Sequence, residues 1–93
     1  MTYPVSITPS AQDNLREAYT FTLLASNEKT AHEKMESIFE KIFLLENFPL
    51  LGSPYHRGSQ PEKNIRLLVV SSYLIFYSFG GKQIAVLSVS RNR

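Results

Sequence analysis

The run Ile65-Arg66-Leu67-Leu68-Val69-Val70-Ser71-Ser72-Tyr73-Leu74-Ile75-Phe76-Tyr77-Ser78-Phe79 constrains the fold more than any other part of the chain. Two segments rich in β-branched and aromatic residues flank a Ser-Ser pair, the pattern of two antiparallel strands joined by a tight turn. Both segments are almost continuously apolar, whereas a hairpin with one face in water alternates. The pattern therefore predicts cover over much of both faces. Arg66 is the one charged residue in the run and stands at the mouth of the first strand, available to a partner rather than to the core. Tyr73 and Tyr77 lie four apart and so share one side of the second strand.

Before the hairpin the chain reads as a short strand and two helices. Tyr3, Val5 and Ile7 alternate with Pro4, Ser6 and Thr8, a half-buried strand whose proline sits at an edge or outside the ladder. Thr8-Pro9 is a helix start, a hydroxyl N-cap followed by proline at the first helical position, and Asp13 falls in the early turns. The first helix is expected from Pro9 to Ala25 or Ser26, with Ala11, Leu15, Ala18, Tyr19 and Thr22 on one stripe. Asn27 caps a second helix whose stripe is Ala31, Met35, Ile38, Ile42 and Leu45. So short a linker makes the pair an antiparallel αα-hairpin.

Pro49 ends the second helix, and residues 49–64, punctuated by Pro49, Gly52, Pro54, Gly58 and Pro61, read as a long loop with Tyr55, His56 and Arg57 at its middle. After the central hairpin, Gly80-Gly81 makes a turn and Gln83 to Ser90 a last strand. The predicted order is β-α-α-β-β-β, an α+β fold in which a helical hairpin packs on a small antiparallel sheet, with residues 1–93 as a single domain.

A chain of 93 residues buries only about 60–65% of its unfolded surface. It has no cysteine, which a secreted scaffold of this size usually carries, and it opens on no signal-peptide pattern. No run approaches the roughly 20 apolar residues of a membrane span, so a cytoplasmic location without membrane contact is expected. Net charge is +2, but its distribution is uneven: from Gly52 onward Arg57, Lys63, Arg66, Lys82, Arg91 and Arg93 face only Glu62. This basic C-terminal part suits a polyanion or an acidic partner segment, or else forms the solvated rim of a sheet. Two distant histidines and scattered carboxylates give no metal site. With no Gly-rich phosphate loop and no serine–histidine–acid set, no cofactor is expected and nucleotide hydrolysis and acyl transfer have no support.

Several landmarks, taken in order, resemble the RelE/ParE superfamily of bacterial toxins from type II toxin–antitoxin operons. Ala11-x-x-Asn14-Leu15 followed by Tyr19 is similar to the family's Ala-x-x-Asp-Leu and later Tyr. Phe48-Pro49-Leu50-Leu51-Gly52 resembles its Asn-Pro-x-x-Gly turn. Arg66-x-Leu68-x-Val70-x-x-Tyr73-x-Ile75-Phe76-Tyr77 is close to its Arg-x-Leu-x-Val-x-x-Tyr-x-Ile-x-Tyr. Val86-Leu87 and then Arg91 resemble Val-Leu-His-x-Arg-Arg-Asp.

The resemblance implies a small toxin neutralised by a cognate antitoxin. It also implies one of two actions: inhibition of DNA gyrase by protein–protein contact in the ParE branch, or cleavage of mRNA on the ribosome in the RelE branch. The nuclease branch carries an arginine directly after the aromatic that opens the middle strand, where this chain has Leu74. The family histidine falls near Ser88 and the first arginine of its pair near Ser90. Metal-free RNA cleavage needs a base for the 2′-hydroxyl proton and cations for the phosphate, and serine supplies neither. The departures favour the ParE branch, and they also leave open a weakly toxic chain that only binds its antitoxin.

On the ParE reading, Arg57, Lys63, Arg66, Arg91 and Arg93 are candidates to contact target or antitoxin. On the nuclease reading, Arg57, Arg66 and Arg91 with His56 or Tyr77 form the site. For Tyr73 and Tyr77 core packing is the competing role, and for His56 an incidental loop position. His32 reads as surface.

Overall fold

The computed structural model describes the backbone of residues 2–57 and 60–92 and the side chains of residues 2–56 and 64–92. Strand β1 (Val5–Ile7) leads into helices α1 (Pro9–Ala25) and α2 (Glu28–Leu44), followed by β2 (Ser53–Arg57), β3 (Gln60–Val70), β4 (Tyr73–Phe79) and β5 (Ile84–Arg91). The strands form one sheet in the order β1-β5-β4-β3-β2. It is an α+β fold, and the helical hairpin packs on one face of that sheet.

Both helix starts are capped as their sequences require. The Thr8 hydroxyl accepts from the Ala11 amide at 3.2 Å, with Pro9 at the first helical position, and the Asn27 side chain accepts from the Thr30 amide at 2.8 Å. Asp13 lies beyond the first turn and pairs with Arg16 one turn on, rather than serving the helix dipole directly. The stripes read from the spacing are buried at Ala11, Leu15, Ala18 and Thr22 on α1 and at Ala31, Ile38, Ile42 and Leu45 on α2 or just past its end, whereas Tyr19 and Met35 are only half-buried at their margins. Thr22 is the buried polar exception, and its hydroxyl donates to the Ala18 carbonyl at 2.9 Å. Most of these residues join Leu68, Val70, Tyr73, Ile75, Tyr77, Ile84, Val86 and Val89 of the sheet in one core.

The central hairpin forms as expected. Val70 faces Tyr73 across the Ser71-Ser72 turn, and the ladder runs back to Ile65 opposite Ser78. Ser71 has φ 56°, the backbone sign of a tight turn whose first central position favours glycine. Tyr73 and Tyr77 both point into the core.

Three expectations are corrected. First, residues 49–64 are not one long loop. Residues 53–57 pair with β3, which begins at Gln60, so the sheet gains a strand and the order is β-α-α-β-β-β-β. The prolines that marked a loop are placed where a ladder tolerates them. Pro54 is on the edge strand beside a bulge, and Pro61 is in the part of β3 that precedes its pairing with β4. Second, the sheet is mixed, because β5 lies between β4 and β1 and runs parallel to β1. The helical hairpin lies within the crossover that such a parallel pair requires. Third, only one face of the central hairpin is covered by helices. On the other, Val69 is 56% exposed.

Candidate functional site

The residues singled out by sequence separate into three places. At the first, β3 and β4 together hold the turn that follows α2. The Tyr77 side chain is fully buried, and its hydroxyl donates to the Pro49 carbonyl at 2.8 Å while accepting from the Gly52 amide at 2.9 Å. Arg66, on the same face of the sheet, donates from Nε and Nη2 to the Gly52 carbonyl at 3.0 and 2.7 Å, and from Nη2 to the Leu50 carbonyl at 3.3 Å. Gly52 has no room for a side chain. A Cβ there would stand 2.7 Å from the Leu67 carbonyl oxygen and 2.9 Å from the Tyr77 ring and hydroxyl.

Residues 14 and 25 positions apart in sequence thus form one clamp. Its members join two of the landmark motifs, Gly52 from the turn and Arg66 and Tyr77 from the hairpin. Donor and acceptor of the Tyr77 hydroxyl are both engaged away from solvent, an arrangement that orders backbone rather than transfers protons. Arg66 is half-buried, and among the described residues its guanidinium is held by backbone carbonyls.

The second place is the end of β5. The β4–β5 register shifts between Phe76 and Tyr77, which face Ser88 and Val86, so Leu87 is the extra residue of a bulge. Thr8 secures it from the neighbouring helix start: its amide donates to the Val86 carbonyl at 3.1 Å, and its hydroxyl lies 2.9 and 3.2 Å from the Val86 and Leu87 carbonyls. Beyond the bulge the alternation changes phase. Val89 is buried under α1, its amide donating to the Asn14 side chain at 2.9 Å, and Arg91 follows on the same face. The Arg91 guanidinium stacks over the Phe21 ring, 3.9 Å from its centroid. A cleft of about 650 Å³ opens there, lined by Asn14, Thr20, Phe21, Tyr73, Ser90 and Arg91 among others.

Sequence reasoning did not identify Phe21, Thr8 or Asn14 as partners of this strand end. One signal was present. The alternation Ile84, Val86 continues to Ser88 and Ser90, while the apolar residue is Val89, as a one-residue slip produces.

The third place is the helix-free face of the sheet. Alternation puts Leu67, Val69, Leu74 and Phe76 there, together with Ser88 and Ser90 after the bulge. Tyr55 of β2 joins them, with its ring edge-on to Phe76 at 5.1 Å. Leu74 faces Ser90 and Phe76 faces Ser88 across the β4–β5 pair. The three positions at which the chain departs from the nuclease pattern, Leu74, Ser88 and Ser90, therefore converge on one patch of this open face. It presents hydrocarbon and hydroxyls.

The other candidates are dispersed or undescribed. His56 is exposed on β2. His32 sits on α2 within 3.7 Å of Glu28 and 3.5 Å of the Tyr19 hydroxyl. Arg93 and the side chains of Arg57 and Lys63 lie outside the described residues. Among the described residues, no three His, Cys, Asp or Glu side chains cluster as metal ligands. Nor is any described helix long and apolar enough to cross a membrane.

Comparison with known proteins agrees with this architecture. Residues 5–93 match the family described as ParE toxin of type II toxin-antitoxin system, parDE. The fold is similar to that of a chain in the chromosomal ParDE toxin–antitoxin system from P. aeruginosa, with TM-score 0.80, 19% identity and coverage of 99% of this chain and 98% of that one. It is also similar to a chain of the RelBE2 toxin–antitoxin complex from Mycobacterium tuberculosis, with TM-score 0.68, 20% identity and coverage of 99% and 100%. At such identities these two structures bear on fold alone. No curated protein matches the chain.

Proposed function

Because the chain belongs to the ParE toxin family of type II toxin–antitoxin systems, we propose that it inhibits DNA gyrase by protein–protein contact and is neutralised by a cognate antitoxin that covers its open sheet face. The observation that carries this reading is the composition of that face. Leu74, Ser88 and Ser90 occupy the positions that resemble the nuclease machinery of the RelE branch, and they offer neither a base for a 2′-hydroxyl nor a cation for a phosphate. Of the strand residues suited to such chemistry, Arg66 and Tyr77 point to the opposite face and hold the Pro49–Gly52 turn, and Arg91 is on that opposite face too, stacked over Phe21. An apolar face of Tyr55, Leu67, Val69, Leu74 and Phe76 suits instead the apolar side of a protein segment.

The test is brief expression in bacteria with labelled thymidine and labelled amino-acid incorporation followed together. DNA synthesis is expected to stop first while translation continues, and purified gyrase then loses supercoiling activity on addition of the chain. A primary collapse of translation would instead favour ribosome-dependent mRNA cleavage. Unimpaired growth would leave the chain as an antitoxin-binding partner without a poison of its own.

A further inference from the structure

Arg91 is exposed, yet the strand end that carries it is fixed on both sides. The Val89 amide donates to the Asn14 side chain at 2.9 Å, and the Asn92 amide donates to the Ser72 carbonyl at 2.7 Å. The guanidinium carbon of Arg91 lies 3.9 Å from the centroid of the Phe21 ring. At that distance an N–H aimed at the ring would collide with it, so the two groups meet face to face. The N–H donors then point outward from the edge of the guanidinium, and among the described residues no carboxylate pairs with them. The cleft of about 650 Å³ opens beside this edge.

We propose that this cleft is a docking site for an acidic, apolar segment of a partner polypeptide. A carboxylate of the segment takes the edge of Arg91, and a neighbouring hydrocarbon side chain lies on Phe21 and Leu24. Three features select that occupant. A guanidinium held by its face presents paired, coplanar donors that match a planar carboxylate. The charges of the lining leave room for one such anion and not for a chain of them: Arg16 is engaged by Asp13, and Glu17 stands in the lining opposite the remaining cation, Arg91. A nucleic-acid backbone is held by several cations in succession, and here a phosphate chain would meet Glu17 instead. The third feature is hydrocarbon beyond the cleft. Phe21 is 47% and Leu24 82% exposed, one turn apart on α1. A small carboxylic acid would leave Leu24 bare, whereas a peptide segment covers both side chains.

One exposed charge pair and two apolar contacts make a weak site by themselves, with a dissociation constant on the order of a millimolar for a short peptide. The fixed strand end and the stacked guanidinium lower the ordering cost of that contact. The cleft is on the helix-bearing side of the sheet, away from the open face with Val69. Binding of an isolated peptide therefore does not depend on what the open face contacts or on which target the chain acts.

The test is titration of the isotopically labelled full chain with a short, end-blocked peptide of leucine and glutamate, followed by nuclear magnetic resonance. The Arg91 Nε–H and the amides of Phe21 and Val89 should shift to saturation. The same peptide with glutamine for glutamate should bind about fivefold more weakly, and Arg91→Gln should lose the same factor for the glutamate peptide while the rest of its spectrum is unchanged. Arg91→Lys should not restore binding, because an ammonium lacks the fork and the stacking face. Glu17→Gln should tighten the glutamate peptide about twofold. Absence of shifts at the cleft at several times the expected dissociation constant overturns the proposal, as does equal binding of the two peptides or insensitivity to Arg91→Gln. Displacement of the peptide by a thymidine oligonucleotide would assign the cleft to nucleic acid, and binding of hexanoate as tight as that of the peptide would assign it to a small acid; either result overturns it equally.

Discussion

Replacing Tyr77 by phenylalanine removes a single oxygen atom and isolates the clamp from every other feature of the molecule. The ring stays in the core, so apolar packing is nearly conserved. The Gly52 amide loses the acceptor it has at 2.9 Å, and Gly52 is buried, so that donor is left without a partner. An unsatisfied buried donor costs about 1–3 kcal/mol. The Pro49 carbonyl loses its donor at 2.8 Å but is only half-buried and can turn to water, a loss of about 0.5–1.5 kcal/mol. The expected destabilisation is therefore about 2–4 kcal/mol, a large share of the roughly 5–14 kcal/mol available to a domain of this length. Urea unfolding followed by circular dichroism measures it as a fall in midpoint with an unchanged slope. Tyr73→Phe is the matched control: that ring is equally interior, no hydrogen bond to its hydroxyl is found among the described residues, and its change should stay within about 0.5 kcal/mol. Equal stability of Tyr77→Phe and Tyr73→Phe would refute the clamp.

Two further substitutions test other parts of the reasoning. Arg66→Lys keeps the charge but replaces a planar fork by a point donor, so it should lose about 1–2 kcal/mol in the same urea experiment; wild-type stability would show that the contacts to Gly52 and Leu50 do not matter. Ser71→Gly relieves a side chain at φ 56° and should raise the thermal midpoint by a few degrees in a calorimetric scan, whereas a lowered midpoint would contradict the strain assigned to that turn.

The clamp also changes how Arg66 is understood. An arginine opening an apolar strand reads as a cation offered to a partner, because sequence shows its charge and not the carbonyls brought beside it. In the folded chain Arg66 reaches 14 residues back to Gly52, and Tyr77 reaches 25 residues back to the same glycine. A substitution at either residue therefore lowers stability, so a stability measurement belongs beside any activity assay of them. Arg91 is different. Stacked on Phe21 at the molecular surface, it can be replaced with little expected effect on the core, which makes it the cleaner probe of target or antitoxin contact.

What the sequence determined by itself is local. The caps at Thr8 and Asn27, the apolar stripes of both helices and the β-branched hairpin around Ser71-Ser72 repeat with periods of 3.6 or 2, and those periods dictate helix or strand within a few residues. The departures at Leu74, Ser88 and Ser90 are matters of residue type and are legible without the fold. Only the tertiary structure decided the rest. Pro54 and Pro61 look like loop punctuation until pairing shows Pro54 on the edge strand opposite Arg66, and Pro61 opposite His56 in the part of β3 that β4 does not reach. The bulge at Leu87 turns Val89 and Arg91 towards α1 and leaves the serines on the open face, a reversal fixed by Thr8 from nearly 80 residues away. Strand order, the parallel β1–β5 pair and the Gly52 clamp all arise from contacts between distant segments. A local period carries no information about which distant backbone group will meet a given side chain, because that is set by how whole elements close on one another.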